Sequence, residues 1–309
     1  MSRTYCVTGI SGYIGKLLVQ RLTRDLKNKV IGIDLKMPNG LENVQFYQDD
    51  IRNPDIVDIF KNENVDVVVH LAFYTHPEGD AKLAKSVNID GTKNILEAAG
   101  SAPVKRFVLS SSSAAYGSHP DNPIPMVESQ LLRPNSYFYY SAHKATQEKL
   151  AQTFKNEHPD IQLIILRPCA LIGPHINNLT GDSLRQKVLI YIKNKKPPMQ
   201  LIYEDDAVKA FYLASTHETE GVFNIASGGT ITFDELAQMM RKKTILLPFG
   251  LLSVLANIGK RLRLSPISAK TLKFISNPVV IDSTRFNKCF NFEPRFDTKG
   301  AVIQFSKTI

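Results

Sequence analysis

Cysteine is scarce in this chain, which has three in 309 residues. Cys6, Cys169 and Cys289 lie far apart, so we expect neither a disulfide framework nor a metal site. The sequence also has no dense run of lysine and arginine interleaved with aromatic residues, although its net charge is +9. Nucleic acid is therefore not expected as a partner, whereas an anionic small molecule or a membrane surface fits the charge.

No leader sequence is expected, and the sequence contains no long uninterrupted apolar segment. The N-terminal MSRTYCVTGI enters a strand-like run directly, which predicts no signal peptide and a cytoplasmic location with reduced thiols. One apolar run, 244–259, is interrupted by Pro248 and Gly250 and is too short for a membrane span. We expect a helix there, and two interpretations stay open. In the first, the helix covers the substrate pocket or forms a subunit contact. In the second, it opens onto an apolar substrate or lies peripherally in a membrane interface. In the interfacial case, apolar side chains would be buried in lipid and the flanking basic pairs would meet anionic head groups: Leu246, Leu247, Phe249, Leu251, Leu252 and Leu255, with Lys242, Lys243, Lys260 and Arg261.

Short apolar strands alternate with longer helical patterns in the first half of the chain. Strands are predicted at 4–9, 29–34, 44–48, 65–72, 106–111 and 161–168, and helices near 12–26, 54–62, 81–99 and 136–157. This alternation predicts an α/β fold with a doubly wound parallel sheet, the Rossmann fold, covered by helices on both faces.

The pattern changes beyond residue 170, where proline and glycine cluster at 173–181 and 197–198. Helices are predicted at 181–194, 205–215, 233–243 and 250–262, with a short strand at 221–227. We therefore predict a first domain over 1–170 and a smaller, mainly helical subdomain over 171–309 that binds substrate. Segments near 201–230 are expected to return to the first domain.

A glycine-rich turn follows the first predicted strand in the sequence TYCVTGISGYIG. Gly9, Gly12 and Gly15 would allow a tight turn, with Tyr13 and Ile14 opening a helix whose amides face a pyrophosphate. Asp34 ends the second strand, 19 residues after Gly15, and suits the two hydroxyls of an adenine ribose. The turn therefore predicts a dinucleotide site that prefers NAD to NADP.

Two nearby features modify this prediction. Lys36 lies two residues after Asp34 and would soften the preference for NAD. Asp50 and Ile51 end the third predicted strand, where the edge of an adenine would lie. Alternatively, Asp50 caps the helix that follows.

Taken together, ten segments resemble the extended short-chain dehydrogenase/reductase family, in its NAD-dependent epimerase/dehydratase group. The resemblance runs from Thr4 to about Ala226 and rests on these segments in this order: GISGYIG (9–15), Asp34, Asp50-Ile51, HLA (70–72), VNIDGT (87–92), SSSSAAYG (110–117), YSAHK (140–144), RP (167–168), EDDAVKA (204–210) and GVFNIASGG (221–229).

The resemblance implies that Ser112, Tyr140 and Lys144 are the catalytic residues. In the family the tyrosine is the acid and base, the lysine also binds the nicotinamide ribose, and the serine binds the substrate oxygen. Further cofactor-binding residues are implied at the matching motif positions: Leu71, Ala72, Asn88, Ser110 and Pro168.

Helical spacing agrees with this choice within the segment YFYYSAHK, 137–144. Side chains four residues apart share a helix face, so Tyr140 pairs with Lys144 and Tyr139 with His143. A phenol has a pKa of about 10, and a nearby ammonium favours the phenolate that a base requires. Taken alone, the Tyr140–Lys144 pair would also fit an exposed helix surface.

The sequence departs from the family pattern at Ala170, where nucleotide-sugar enzymes usually carry asparagine. We expect substrate contacts from four residues near the predicted cleft: Tyr74, Thr75, Ser113 and Asn177. The implied function is NAD-dependent hydride transfer at a secondary alcohol carbon by an epimerase or dehydratase, with a nucleotide-sugar as one candidate substrate. The alternatives are an alcohol dehydrogenase or ketone reductase acting on an apolar, steroid-like or flavonoid-like substrate, and a non-catalytic NAD-binding regulator. A homodimer is expected.

Overall fold

The computed structural model describes residues 2–75, 80–176, 178–262 and 267–309. The strands within these ranges are β1 (Thr4–Thr8), β2 (Lys29–Asp34), β3 (Gln45–Gln48), β4 (Val67–His70), β5 (Arg106–Ser110), β6 (Gln162–Pro168), β7 (Ala170–Ile172), β8 (Val188–Ile192), β9 (Leu201–Tyr203), β10 (Gly221–Ile225) and β11 (Lys243–Leu247). The helices are α1 (Tyr13–Leu22), α2 (Ile56–Asn62), α3 (Ala81–Lys85), α4 (Thr92–Gly100), α5 (Tyr139–Glu157), α6 (Leu179–Arg185), α7 (Glu204–Thr216), α8 (Phe233–Met239), α9 (Phe249–Arg261), α10 (Ala269–Ile275), α11 (Thr284–Phe290) and α12 (Thr298–Ser306).

Seven strands form one sheet in the order β10-β6-β5-β4-β1-β2-β3, and every neighbouring pair is parallel. The chain winds outwards from β1 in both directions, so the strand order reverses between β1 and β4. Ligands of such sheets bind beyond the carboxyl ends of the strands at this reversal. The prediction of a doubly wound parallel sheet is confirmed.

Apolar layers cover both faces of the sheet. One face packs against α1, α7 and α11 through residues such as Leu18, Phe211 and Phe286. The other packs against α2, α4 and α5 through residues such as Phe60 and Phe154. The near-continuous apolar strands are explained by this burial on both faces.

The second half of the chain is largely helical, but it also contains two small sheets. β7 pairs with β9 and β8 pairs with β11, both in parallel. A third apolar cluster joins these strands to α8, α9, α10 and α12. The strand β10 leaves this half and pairs with β6 in the main sheet.

The predicted helix at 181–194 is wrong in its second part. Helix α6 ends at Arg185, and 188–192 is the strand β8. The run VLIYI is rich in β-branched and aromatic side chains, which favour strands. The strand pairs with β11, a segment more than 50 residues away along the chain. The local periodicity of the sequence could not indicate this pairing.

The expectation of one helix over 244–259 is also wrong in part. Residues up to Leu247 belong to β11, and Pro248 is the residue before the helix α9. Proline is tolerated at a helix start because the first amides have no partner inside the helix. Leu252 is buried on the inner side of α9 and Leu247 packs partly against the core, so neither is available to an outside surface.

None of the helices within the described ranges combines the length and apolar character needed to cross a membrane.

Candidate functional site

The glycine-rich turn lies at the strand reversal. Gly9 follows β1 with a φ of +77°, a conformation that L side chains rarely adopt. A Cβ on Gly9 would lie 2.6 Å from the backbone nitrogen of Ala72, and one on Gly15 would overlap the carbonyl oxygen of Gly9. Both positions therefore require glycine, because the loop after β4 and the start of α1 pack directly on the turn.

The N-terminus of α1 is open towards this turn. Gly12 is its N-cap and provides no side-chain cap, and the first turn of the helix carries no acidic residue. Ile14 packs against the core on one side of α1. The hydroxyl of Tyr13 is buried and has no hydrogen-bond partner among the described residues. Uncapped amides and an orphaned buried hydroxyl fit a bound dinucleotide, whose pyrophosphate would face the positive end of the helix.

Asp34 is held at the edge of the same turn. Its carboxylate accepts hydrogen bonds from the backbone amides of Ser11, at 2.8 Å, and Leu35, at 2.7 Å. Lys36 is exposed, and its carbonyl oxygen accepts a hydrogen bond from the hydroxyl of Ser11. The negative charge of Asp34 is thus fixed beside the turn, where it would meet the ribose hydroxyls of the cofactor.

Asp50 lies beyond the end of β3 and is already engaged. Its carboxylate accepts from Nη2 of Arg52 at 2.6 Å and from Nε at 2.9 Å, and this hydrogen bonding lowers the pKa of Asp50. The residue before α2 is Asp55, so the alternative in which Asp50 caps that helix is wrong. Ile51 is buried, and its side chain occupies the space that a Cβ on Gly91 would need.

The three residues with implied catalytic roles come together beyond the end of β5. Ser112 is the N-cap of the 3₁₀ turn Ser113–Tyr116, where its hydroxyl accepts from the amide of Ala114 at 3.1 Å. Ser112 is also close enough to Tyr140 to influence the pKa of its phenol. Lys144 is one helical turn further along α5, and its Nζ donates to the carbonyl oxygen of Ser110 at 2.7 Å. Ser113 itself is buried.

Burial sets the protonation behaviour of the two titrating groups. Burial raises the pKa of Tyr140, and the nearby side chain of Ser112 acts in the opposite direction. Burial also lowers the pKa of Lys144 to about 7, and the charge of Glu148 opposes that shift. The lysine side chain is 4% exposed, so its ammonium has little contact with water.

Aromatic rings surround this group. The Nζ of Lys144 lies 3.8 Å from the ring centre of Phe73, a cation–π contact. The same ring packs edge-on against Tyr140 at 5.3 Å, and Phe138 lies 6.2 Å from Tyr140. Sequence reasoning missed Phe73, whose only signal is its place directly after the HLA segment.

A buried ion pair lies behind Lys144. Arg167 donates to both carboxylate oxygens of Glu148, with Nη2–Oε2 at 2.6 Å, and both side chains are almost fully buried. Arg167 also donates to the hydroxyl of Tyr116 at 2.7 Å, and Ser111 donates to Glu148. Glu148 was not among the predicted site residues, although its position four residues after Lys144 places it on the same helix face.

Asn88 fixes the loop that follows β4. Its amide oxygen accepts from the backbone amide of Tyr74 at 2.6 Å, and its Nδ2 donates to the carbonyl oxygen of Tyr74 at 3.2 Å. Nδ2 also lies 3.2 Å from Nδ1 of His143, whose ring is covered by Tyr139. Because Asn88 donates there, His143 accepts through Nδ1. Asn88 is buried in the π-helical turn Ser86–Gly91, a feature that recurs at functional sites.

The remaining predicted residues that the structure describes lie at or beyond the carboxyl ends of β4 and β6. Leu71 and Ala72 are tied to Thr8 through their backbone amides, at 3.2 and 3.3 Å. Pro168 is buried at the end of β6, and Thr75 is exposed beyond Tyr74. Asn177 lies outside the described residues. The contacts therefore define two groups of predicted residues. One is the glycine turn with Ala72, and the other is Ser112 with Tyr140 and Lys144. The carboxylate of Asp50 is instead bonded to Arg52.

Comparison with known proteins gives a consistent result. The model of the NAD dependent epimerase/dehydratase family matches residues 5–226. An uncharacterized protein of Mycobacterium tuberculosis is 28% identical over 305 residues, which cover 96% of this chain and 81% of the relative. The low-salt glycan biosynthesis protein of Haloferax volcanii is 30% identical over 242 residues, 72% of this chain and 76% of the relative.

A solved structure shows the same fold. UDP-glucuronic acid 4-epimerase from Bacillus cereus, in complex with UDP-glucuronic acid and NAD, superimposes with a TM-score of 0.78 at 19% identity. The match covers 99% of this chain and 98% of the other. At this identity, the likeness concerns the fold.

Proposed function

The chain belongs to the NAD dependent epimerase/dehydratase family. We therefore propose that it oxidises a secondary alcohol carbon of its substrate to a transient ketone and then converts this ketone to an epimer or a dehydrated product. The chain is an enzyme of the extended short-chain dehydrogenase/reductase type, and its cofactor is NAD. The roles of its individual residues and the identity of its substrate are the content of the proposal.

One observation carries the proposal: Tyr140 and the buried Lys144 both lie against the ring of Phe73, and Ser112 is close enough to oppose the rise in the pKa of Tyr140. A substrate hydroxyl that takes its place between Ser112 and Tyr140 would meet a hydrogen-bond partner and a proton acceptor in one geometry. Holding both groups in advance removes the entropy cost of assembling them during the reaction.

In this proposal, Tyr140 takes the proton of the substrate hydroxyl and returns a proton in the reverse half-reaction. Burial disfavours the phenolate, so the base needs positive charge nearby. Lys144 provides that charge while it is protonated. When bound, NAD would supply the hydride acceptor, and later the hydride donor, for the same substrate carbon. Ser112 keeps the substrate oxygen in place during both steps.

A nucleotide-sugar is the substrate class that we propose first. The glycan biosynthesis relative and the fold match to a UDP-glucuronic acid 4-epimerase support a carbohydrate substrate. Ala170 stands at the position of the usual asparagine and is exposed on β7, so this residue offers no amide to a sugar nucleotide. Other polar groups of the substrate subdomain would have to supply that contact.

A second candidate is the oxidation of an apolar alcohol or the reduction of the corresponding ketone. The observation that favours it is the aromatic surface beside the catalytic group. Phe73 and Phe138 pack near Tyr140, and Phe274 from α10 lies 4.5 Å from Phe138. Together with Ala170, these rings would suit a substrate with an apolar body.

The fate of the cofactor separates the two candidates. An epimerase or dehydratase regenerates NAD in each cycle, so the purified protein should carry tightly bound cofactor and convert UDP- or dTDP-hexoses without net NADH formation. Mass spectrometry of the copurifying molecules and chromatography of the nucleotide-sugar products test this. A steady increase of NADH absorbance with apolar secondary alcohols would support the second candidate instead. A protein that binds NAD but converts neither class would favour a non-catalytic regulator and contradict both.

We also propose a homodimer in the cytoplasm, in line with the sequence. Sedimentation velocity of the purified protein tests the dimer, and cell fractionation tests the location.

A further inference from the structure

The outer side of α9 carries an unusual set of exposed apolar side chains. Leu251, Val254, Leu255, Ile258 and Leu262 follow the helical spacing i, i+3, i+4, i+7 and i+11, so they form one stripe. Each is about half exposed, from 48% for Leu255 to 61% for Leu262. Single exposed leucines are normal, but a continuous apolar stripe on a surface marks an interaction site.

Neighbouring strands and a neighbouring helix carry further exposed apolar side chains. Ile190 of β8 and Ile245 of β11 are register partners, and both are exposed. Ile275 of α10 is exposed as well. Helix α9 packs against both β8 and α10, so Ile190 and Ile275 belong to elements that adjoin the helix of the stripe. We call this set, with the α9 stripe, the apolar surface.

The segments that form the apolar surface carry charge of one sign. The segments 183–203 and 236–281, which supply β8, β11, α9 and α10, contain thirteen of the 38 lysines and arginines and none of the 29 acidic residues. Acidic residues exceed basic ones in the rest of the chain, so the positive net charge originates in these two segments. Lys243 is the register partner of Val188, Arg261 precedes Leu262, and Lys270 belongs to α10; all three are exposed.

We propose that the apolar surface docks on a lipid bilayer that contains anionic phospholipids. An interfacial helix buries its apolar face at the boundary of the acyl chains, while nearby cations meet the head groups. Each basic residue near such a surface contributes about 1 kcal/mol of attraction, or about five-fold in affinity. A second copy of this chain is a poorer occupant, because it would bring two cationic surfaces into contact.

The apolar surface is also connected to the catalytic end of α5. Phe274 of α10 packs on Phe138, and Nζ of Lys273 lies 4.5 Å from the ring centre of Tyr137. Both aromatic residues immediately precede Tyr139, the first residue of α5. Docking would therefore hold the start of the catalytic helix close to the bilayer. The docking proposal does not depend on the proposed function.

The test is flotation of the full chain with two kinds of vesicle, phosphatidylcholine alone and phosphatidylcholine mixed with phosphatidylglycerol. We expect flotation with the anionic vesicles at ~0.1 M salt, where the Debye length is ~10 Å, and weaker flotation at ~1 M salt, where it is ~3 Å. The combined variant Leu251→Gln, Val254→Gln, Leu255→Gln and Ile258→Gln should lose at least about ten-fold in binding. Glutamine is a good helix former and all four positions are exposed, so α9 should keep its structure.

Two matched variants control the result. Leu26→Gln with Leu131→Gln removes two leucines that are more than 80% exposed and lie outside the apolar surface, and it should float like the wild type. Lys243→Gln with Arg261→Gln should weaken binding about five-fold per charge at low salt and much less at high salt. Thermal melting of each variant checks that it is folded.

Three outcomes would overturn the proposal. The wild type does not float with anionic vesicles, or it floats equally well after the four substitutions in α9. In the third outcome, the wild type does not float, and sedimentation velocity shows self-association that the same four substitutions abolish. This result would mean that a second copy of the chain covers the apolar surface.

Discussion

Lys144 should make the folded protein less stable at neutral pH than at alkaline pH. Its pKa falls from an ordinary 10.5 to about 7 because the side chain is buried, with 4% of it exposed. The unfolded chain therefore binds more protons than the folded chain between these two values. Stability rises with pH wherever the unfolded state binds more protons, so the cost of this lysine decreases from pH 7 upwards.

The magnitude follows from the size of the shift. One unit of pKa corresponds to about 1.36 kcal/mol, so the buried ammonium costs on the order of 5 kcal/mol below pH 7. From about pH 7 to about pH 9, the cost should fall by roughly 2 kcal/mol. Lys144→Met keeps the length of the side chain but cannot be protonated. It should therefore gain stability over the wild type at pH 7 and lose about half of that advantage by pH 9.

Urea unfolding at several pH values measures this difference in the cofactor-free protein. The substitution also leaves the carbonyl oxygen of Ser110 without its 2.7 Å partner, so the change with pH is the readout rather than the stability at one pH. Lys149→Met is the matched control, because Lys149 lies on the same helix and is exposed. Parallel stability curves for Lys144→Met and the wild type would refute the reasoning, since they would mean that the ammonium keeps its hydration.

The remaining predictions concern the reaction, the cofactor and the buried ion pair. Tyr140→Phe should lower turnover by about 10²–10⁴-fold and leave NAD binding nearly unchanged, as measured by product chromatography and cofactor titration. Tyr139→Phe should keep most of the activity. Loss of turnover in Tyr139→Phe but not in Tyr140→Phe would contradict the assignment of Tyr140 as the base. The wild type should bind NAD(H) more tightly than NADP(H), and Asp34→Ala should narrow the difference; a preference for NADP(H) in the wild type would show that a nearby cation dominates. Glu148→Gln should destabilise the fold by about 3–5 kcal/mol in urea unfolding, because its buried arginine partner loses its counter-charge. It should also lower the pKa of Lys144, so a pH profile of activity whose alkaline limb does not move would contradict the proposed coupling.

The strands of the main sheet could be predicted from the sequence because their physical signal is local. Each is a short apolar run bounded by turn or helix signals, and burial on both faces demands such runs. The glycine turn was equally predictable, since the backbone of Gly9 packs too closely on Ala72 for any side chain. The structure therefore agrees with the sequence where a few neighbouring residues decide the outcome.

The strands β8 and β11 show where local reasoning ends. An apolar segment such as 188–192 suits a buried helix or a strand equally well in periodicity. Its partner, 243–247, lies far along the chain and is itself largely exposed, so neither segment indicates the other. The state of Asp50 was hidden for a related reason. Whether its carboxylate is free for a ligand depends on the conformation of the turn that brings Arg52 to it.

The catalytic helix face extends further than the two residues that the sequence motif contains. Tyr140, Lys144 and Glu148 follow one another at four-residue intervals, so they form a single stripe on α5. A buried glutamate is unfavourable unless it is paired, and its partner Arg167 comes from β6, which the helical pattern cannot reveal. Once paired, Glu148 places a fixed negative charge one turn from Lys144 and opposes the loss of its proton. The ion pair that stabilises the contact between α5 and the sheet therefore also favours the protonated lysine that the proposed chemistry requires.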